Sequence, residues 1–111
     1  MIHIIRQEAT RQQLDEMLQE LGTYIKLAVD IQRNILAGGG QMHADCEAVL
    51  LNDGSRQADI WGADWIPSIQ KAEFDALINI RPSQQNYSMT IQDPHIRQRV
   101  ESIIRKLLEG V

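Results

Sequence analysis

The segment 25–31 constrains the fold most, because large apolar side chains occupy every second position of it. Lys26, Ala28 and Asp30 stand between them. This alternation is typical of a β-strand with one buried face, and that face must be covered by other elements. The chain therefore needs a sheet around this strand, together with helices that pack on the sheet.

Three segments have the apolar spacing of helices. The first covers about residues 10–21 and begins with a capping box that Thr10 opens. The last follows Asp93, an N-cap residue, and ends at Gly110. Between them, residues 44–52 carry apolar side chains on both sides of the helix, which predicts a well-buried helix.

Short β-rich segments predict the remaining strands. After the strand at 25–31, Gln32, Arg33 and Asn34 are typical of a three-residue hairpin loop with Asn34 in the left-handed conformation. Gly62 is expected to interrupt its strand by a bulge or bend. The further strands are predicted at residues 2–6, 35–37, 57–66 and 74–80, and a long polar loop at 81–92.

The resulting element order is β-α-β-β-α-β-β-α. Short connections between consecutive strands favour a largely antiparallel sheet with helices packed on it, an α+β fold. The 111 residues fit one domain, so we expect residues 1–111 to fold as a single α+β domain.

Charge and composition exclude several classes of protein. Eleven Lys and Arg against 15 Asp and Glu give a net charge of −4, with no basic cluster of the kind that binds nucleic acid. No apolar run approaches the roughly 18 residues of a membrane-spanning helix. Cys46 is the single cysteine, so no intrachain disulfide can form. We therefore expect a soluble cytoplasmic protein with neither nucleic-acid nor membrane partners.

The segment around His43 is the first candidate site. A glycine run precedes it, but the Gly-Lys-Ser/Thr that would complete a phosphate-binding loop is absent. His43 and Asp45 are candidate catalytic residues, and either could instead cap the following helix. Nothing nearby completes a set of metal ligands, so no metal site is predicted. Cys46 is expected to pack as a small apolar residue rather than to act as a nucleophile.

The polar loop is the second candidate site. Arg81 offers a fork of donors that matches a carboxylate or phosphate, and Pro82 stiffens the chain beside it. Other polar side chains could orient a ligand, namely Ser83, Gln84, Asn86 and Ser88. The alternative is an ordinary polar loop in which Arg81 pairs with a structural acid. Trp61 and Trp65 are either core residues or, for one of them, an exposed platform for a partner.

Two motifs carry a resemblance to a known family. One runs from the glycines through His43-Ala44-Asp45 to Glu47, and the other is Ile78-Asn79-Ile80-Arg81-Pro82-Ser83-Gln84 with Asn86 and Ser88. With them, nearly the whole chain resembles a family of short bacterial proteins known as a domain of unknown function. The resemblance implies no activity, substrate or cofactor.

Three functions remain open from the sequence. The first is the binding of a small polar or anionic ligand through the loop that begins at Arg81. The second is a hydrolase or transferase that uses His43 and Asp45 together with Arg81. The third is a protein-protein interaction module that acts as a homodimer. We rank ligand binding first, because it requires no complete catalytic set.

Overall fold

A computed structural model describes all residues, 1–111, and confirms the α+β fold. The chain forms three α-helices and five strands, joined by turns that include four short 3-10 segments. In chain order the elements are β1 (His3–Ile5), α1 (Arg11–Leu18), β2 (Ile25–Asp30), β3 (Ile35–Gly38), α2 (His43–Asn52), β4 (Ile60–Ile66), β5 (Lys71–Glu73) and α3 (Pro94–Leu108).

The five strands form one sheet in the order β1-β3-β2-β4-β5, and every neighbouring pair is antiparallel. The alternating strand predicted from the sequence, β2, lies at its centre. The turn from β2 to β3 has four residues, 31–34, rather than three. Asn34 is left-handed there, with a φ of 58°, as predicted.

Helices cover both faces of the sheet. On one face α1 and α3 bury the larger core, which includes Leu27, Val29 and both tryptophans. Trp61 and Trp65 are at most 1% exposed, so both are core residues rather than platforms for a partner. On the other face α2 is the only helix, and its Cys46 and Leu50 pack against the sheet.

The helix boundaries follow the signals in the sequence. Thr10 and Gln13 form the predicted capping box at the start of α1. Asp93 caps α3 by accepting a hydrogen bond from the N–H of His95 at 2.8 Å. The first helix ends at Leu18, a few residues earlier than predicted, and Gly22 follows with a φ of 84°.

Two strand predictions are wrong. Residues 74–80 are not a strand: the fifth strand is β5, and Leu77–Asn79 forms a 3-10 turn. Gly62 does not bend β4, since it pairs in regular register with Ala28. The missing side chain of Gly62 instead allows close packing, because a Cβ at Gly62 would lie 2.5 Å from the Cβ of Ala76. The segment after β5 therefore crosses directly over the backbone of β4.

Candidate functional site

Residues 74–92, here called the strap, complete the sheet where β5 ends. β5 pairs only with the stretch of β4 from Asp64 to Ile66, which leaves the earlier part of that edge without a neighbouring strand. The side chain of Asn79 fills this gap. Its Oδ1 accepts a hydrogen bond from the N–H of Gly62 at 2.8 Å, and its Nδ2 donates to the Gly62 carbonyl at 3.0 Å. The Asn79 amide thus replaces the peptide group of a missing strand.

Arg81 completes the same edge beside Asn79, and it is only 8% exposed. Its Nε donates to the carbonyl of Ile78 at 2.9 Å. Its Nη1 donates to the carbonyl of Gln57 at 2.9 Å and to the Oε1 of Gln84 at 3.3 Å, and its Nη2 donates to the carbonyl of Ile60. The guanidinium donors are therefore directed at acceptors of the chain itself.

Glu47 and Trp61 enclose the Arg81 guanidinium further. The Oε2 of Glu47 lies 3.6 Å from Nη2 and has no hydrogen-bond partner of its own. The guanidinium carbon lies 4.6 Å from the centre of the Trp61 ring, within the range of a cation–π contact. Burial lowers the pKa of Arg81, and the Glu47 carboxylate acts against this shift. Arg81 is thus held as an internal charge whose counterion is Glu47.

Asn86 holds the two halves of the strap together from inside. It is 3% exposed, and its backbone exchanges two hydrogen bonds with that of Arg81. Its Nδ2 donates to the carbonyls of Asn79, Ser88 and Thr90. The polar residues of the second motif therefore include three buried side chains, at positions 79, 81 and 86, that shape the strap.

The predicted ligand-binding residues are only partly brought together. Arg81, Ser83 and Gln84 line an open pocket of about 390 Å³ between the strap and α2, and Glu47 lies on its other side. Asn86 and Ser88 lie outside its lining, and the Ser88 hydroxyl donates to the carbonyl of Thr90 at 3.1 Å. The ligand-binding prediction stays a prediction, with a smaller set of residues.

His43 and Asp45 point to different partners. The Nε2 of His43 lies 2.8 Å from the Oδ1 of Asp64 and 3.1 Å from the carbonyl of Ala63. The Oδ2 of Asp45 instead accepts a hydrogen bond from the N–H of Met42 at 3.1 Å, and so caps the start of α2. His43 and Glu47 are one turn apart on α2, and Glu47 is the counterion of Arg81. His43 and Arg81 therefore lie along one groove on this side of the helix, whereas Asp45 caps the helix start.

Cys46 faces away from this groove into the core. Its side chain is fully buried, and its Sγ donates to the carbonyl of Lys26 at 3.4 Å. Burial raises the pKa of the thiol to about 11, which disfavours the reactive thiolate. The prediction that Cys46 acts as a packing residue agrees with this placement.

An exposed apolar surface on α2 is a feature that the polar motifs of the sequence do not indicate. α2 is apolar on both sides, yet Ala44, Ala48 and Leu51 are exposed. We call these three residues the outer face of α2. The prediction that α2 is well buried is therefore wrong for this face, because the sheet covers only the opposite one.

The strap extends the outer face of α2 into a larger apolar surface. A pocket of about 350 Å³ separates the start of α2 from the strap and has a mostly apolar lining. Met42 lines it from the helix, and Leu77 and Met89 line it from the strap. Ile78 joins it to the pocket beside Arg81. The apolar surface, as we use the term, consists of the outer face with Met42, Leu77, Ile80 and Met89.

The chain shows neither a cluster of metal ligands nor a membrane-spanning helix. No three His, Cys, Asp or Glu side chains are grouped so that they could hold a metal ion. No helix of the chain combines the length and the apolar character needed to cross a membrane.

Comparison with known proteins gives a family without an assigned activity. Neither the curated proteins nor the solved structures include a significant match to this chain. The profile of the family "Protein of unknown function (DUF5674)" matches residues 3–107, which is nearly the whole chain. The chain therefore belongs to the DUF5674 family of proteins of unknown function.

Proposed function

We propose that this protein is a protein-interaction module that binds its partner through the apolar surface. One observation carries the proposal: α2 carries apolar side chains on two faces, but the sheet covers only one of them. A helix with this pattern is normally buried on both sides. A partner that covers the outer face would account for the pattern.

The distribution of exposed apolar residues supports the same conclusion. Five of the eight large apolar residues that are exposed belong to this surface, with exposures from 40% to 65%. Scattered apolar residues are ordinary on protein surfaces, whereas apolar residues that cluster, as Met42, Leu77 and Met89 do around one pocket, are typical of an interaction site. Two of the five are methionines, whose flexible side chains adapt to a binding partner.

Charged residues stand near both ends of α2, and apolar residues lie between them. Asp45 is exposed at the start of the helix, and only its Oδ2 is engaged, by the N–H of Met42. Arg56 is exposed just beyond the helix end and forms no ion pair. The outer face itself carries no charged side chain, so the fitting partner presents small and apolar side chains to it.

The two other functions receive less support from the geometry. Binding of an anion by Arg81 would require guanidinium donors that are now engaged by carbonyl groups and Gln84. Catalysis by His43 and Asp45 would require both groups to face one substrate, but Asp45 caps α2. The interaction hypothesis requires no change in either arrangement.

Dye binding tests whether the apolar surface is accessible and binds an apolar ligand. We expect the native protein at about 1 μM to enhance bis-ANS fluorescence, since the dye reports exposed apolar surface. The double substitution Leu51→Ser and Leu77→Ser should reduce this enhancement several-fold. Because both side chains are exposed, the free energy of unfolding should change by no more than about 1 kcal/mol.

Ile69→Ser is the matched control, because Ile69 is 63% exposed, like Leu77 at 65%, but lies outside the apolar surface. It should leave the fluorescence unchanged. Equal fluorescence from the native protein and the double variant would overturn the proposed function.

A further inference from the structure

We propose that the pocket beside Arg81 binds a small organic cation with N–H donors, a primary alkylammonium, and that Glu47 recognises its charge. The pocket measures about 390 Å³, within the size range of small-molecule sites. The inference goes beyond the proposed function, because neither Leu51 nor Leu77 of the apolar surface lines this pocket.

The Glu47 carboxylate carries the inference, because it accepts no hydrogen bond from the chain. Its Oε2 is buried and lies 3.6 Å from the Nη2 of Arg81, close enough for an ion pair but too far for a hydrogen bond. Its Oε1 also lacks a partner in the chain, but this oxygen is not sealed from the pocket, and the side chain is 12% exposed where it lines the pocket. A carboxylate so nearly buried normally accepts hydrogen bonds at both oxygens. Oε1 is therefore available to a donor that enters the pocket.

Arg81 is poorly suited to hold an anion in the same pocket, because its donors are already engaged. A guanidinium donates through Nε, Nη1 and Nη2, and each of these nitrogens meets an acceptor of the chain. The acceptors are the carbonyls of Ile78, Gln57 and Ile60 and the Oε1 of Gln84. An entering anion would have to displace these bonds and would also be repelled by Glu47. A cation instead meets a carboxylate oxygen that needs a donor.

The rest of the lining fits an alkylammonium. The side chains of Ser83 and Gln57 are exposed and make no hydrogen bond within the chain, so each can accept one from an ammonium group. Ile78 and Ile80 supply apolar contact for a short hydrocarbon chain. No second carboxylate and no histidine lines the pocket, so a metal ion would lack ligands there. The lining thus combines one charge-recognising group with polar and apolar contacts for the body of the ligand.

An NMR titration with matched ligands tests this inference on the native protein at constant ionic strength. We expect n-butylammonium to shift the backbone amide signals of Ser83 and Gln84 with a Kd on the order of 1–10 mM, the range for a ligand with so few atoms. n-Butyrate has the opposite charge and should not shift them. n-Butyltrimethylammonium keeps the charge but has no N–H group, and it should bind at least 10-fold more weakly.

Charge-removing variants test the role of Glu47. Glu47→Gln should weaken the binding of n-butylammonium at least 10-fold, because the ammonium then loses its charge-assisted hydrogen bond. Glu20→Gln removes the same charge at an exposed position just beyond α1 and should have no effect. Glu47→Gln also removes the counterion of Arg81, so the comparison of ligands on the native protein decides the question if this variant does not fold.

Three results would overturn the inference. The first is that n-butylammonium leaves the Ser83 and Gln84 signals unchanged up to about 50 mM, well above the expected Kd. The second is that n-butyrate or n-butyltrimethylammonium shifts these signals as strongly as n-butylammonium. The third is equal binding by a folded Glu47→Gln protein and the native one. None of these results bears on the proposed function, because its test depends on dye binding at Leu51 and Leu77.

Discussion

Replacing Arg81 with methionine should lower the free energy of unfolding by about 3–5 kcal/mol, the cost of removing one partner from a buried ion pair. Methionine retains much of the arginine volume but leaves Glu47 without its counterion. The carbonyls of Ile60 and Gln57 also lose a donor, and an unsatisfied buried polar group adds to the loss. Urea denaturation followed by tryptophan fluorescence measures the effect.

Two further variants make the Arg81 prediction specific. Arg99→Met is the matched control, since Arg99 also donates to a backbone carbonyl, that of Ile31, but from an exposed position. It should cost less than about 1 kcal/mol. Adding Glu47→Gln to Arg81→Met should recover part of the loss, because no unpaired charge then remains buried. An Arg81→Met protein as stable as the native one would show that Arg81 is not structural and would return it to the ligand-binding hypothesis.

Asn79→Ala should lower the free energy of unfolding by about 3 kcal/mol or more, because it leaves several buried polar groups without partners at about 1–3 kcal/mol each. Gly62 would lose both of its hydrogen bonds to the strap. The carbonyls of Phe74 and Met89, which accept from the Asn79 amide at 3.2 and 3.1 Å, would lose theirs. Thermal unfolding followed by circular dichroism measures the change.

Hydrogen exchange shows where the Asn79 effect arises. In Asn79→Ala, the amide of Gly62 should exchange much faster, whereas amides in α1 should change only with the global stability. Gln98→Ala removes a similar amide from an exposed position on α3 and should be neutral. If the Gly62 amide remained as protected as in the native protein, Asn79 would not be completing the sheet edge.

The sequence was sufficient for most of the fold because the deciding signals are local. The alternation in β2 and the caps at Thr10 and Asp93 depend on neighbouring residues, and the structure confirms them. The strand predicted at 74–80 failed for a non-local reason. Its backbone crosses Gly62 instead of pairing with β4, and only the contact between Gly62 and Ala76 reveals this.

The candidate site was harder to predict because side-chain chemistry alone does not distinguish a binding loop from a buried hydrogen-bond network. Arg81 and Asn86 have the groups that would orient a ligand, and the same groups satisfy backbone carbonyls, of β4 for Arg81 and of the strap for Asn86. The role of Arg81 depends on the carbonyl of Ile60 in β4, 21 residues away along the chain. By contrast, the excess of apolar residues on α2 was visible in the sequence, but which side the sheet would cover was not.

Thiol labelling at position 48 tests most directly whether the outer face of α2 is open to a partner. Because Ala48 is exposed, the new thiol of Ala48→Cys should react with a maleimide as rapidly as that of Ile69→Cys, which lies outside the apolar surface. Cys46 should not compete, since it is buried and its pKa is raised to about 11. If Ala48→Cys reacted as slowly as Cys46 of the native protein, the outer face would be covered within the chain itself and could not bind a partner.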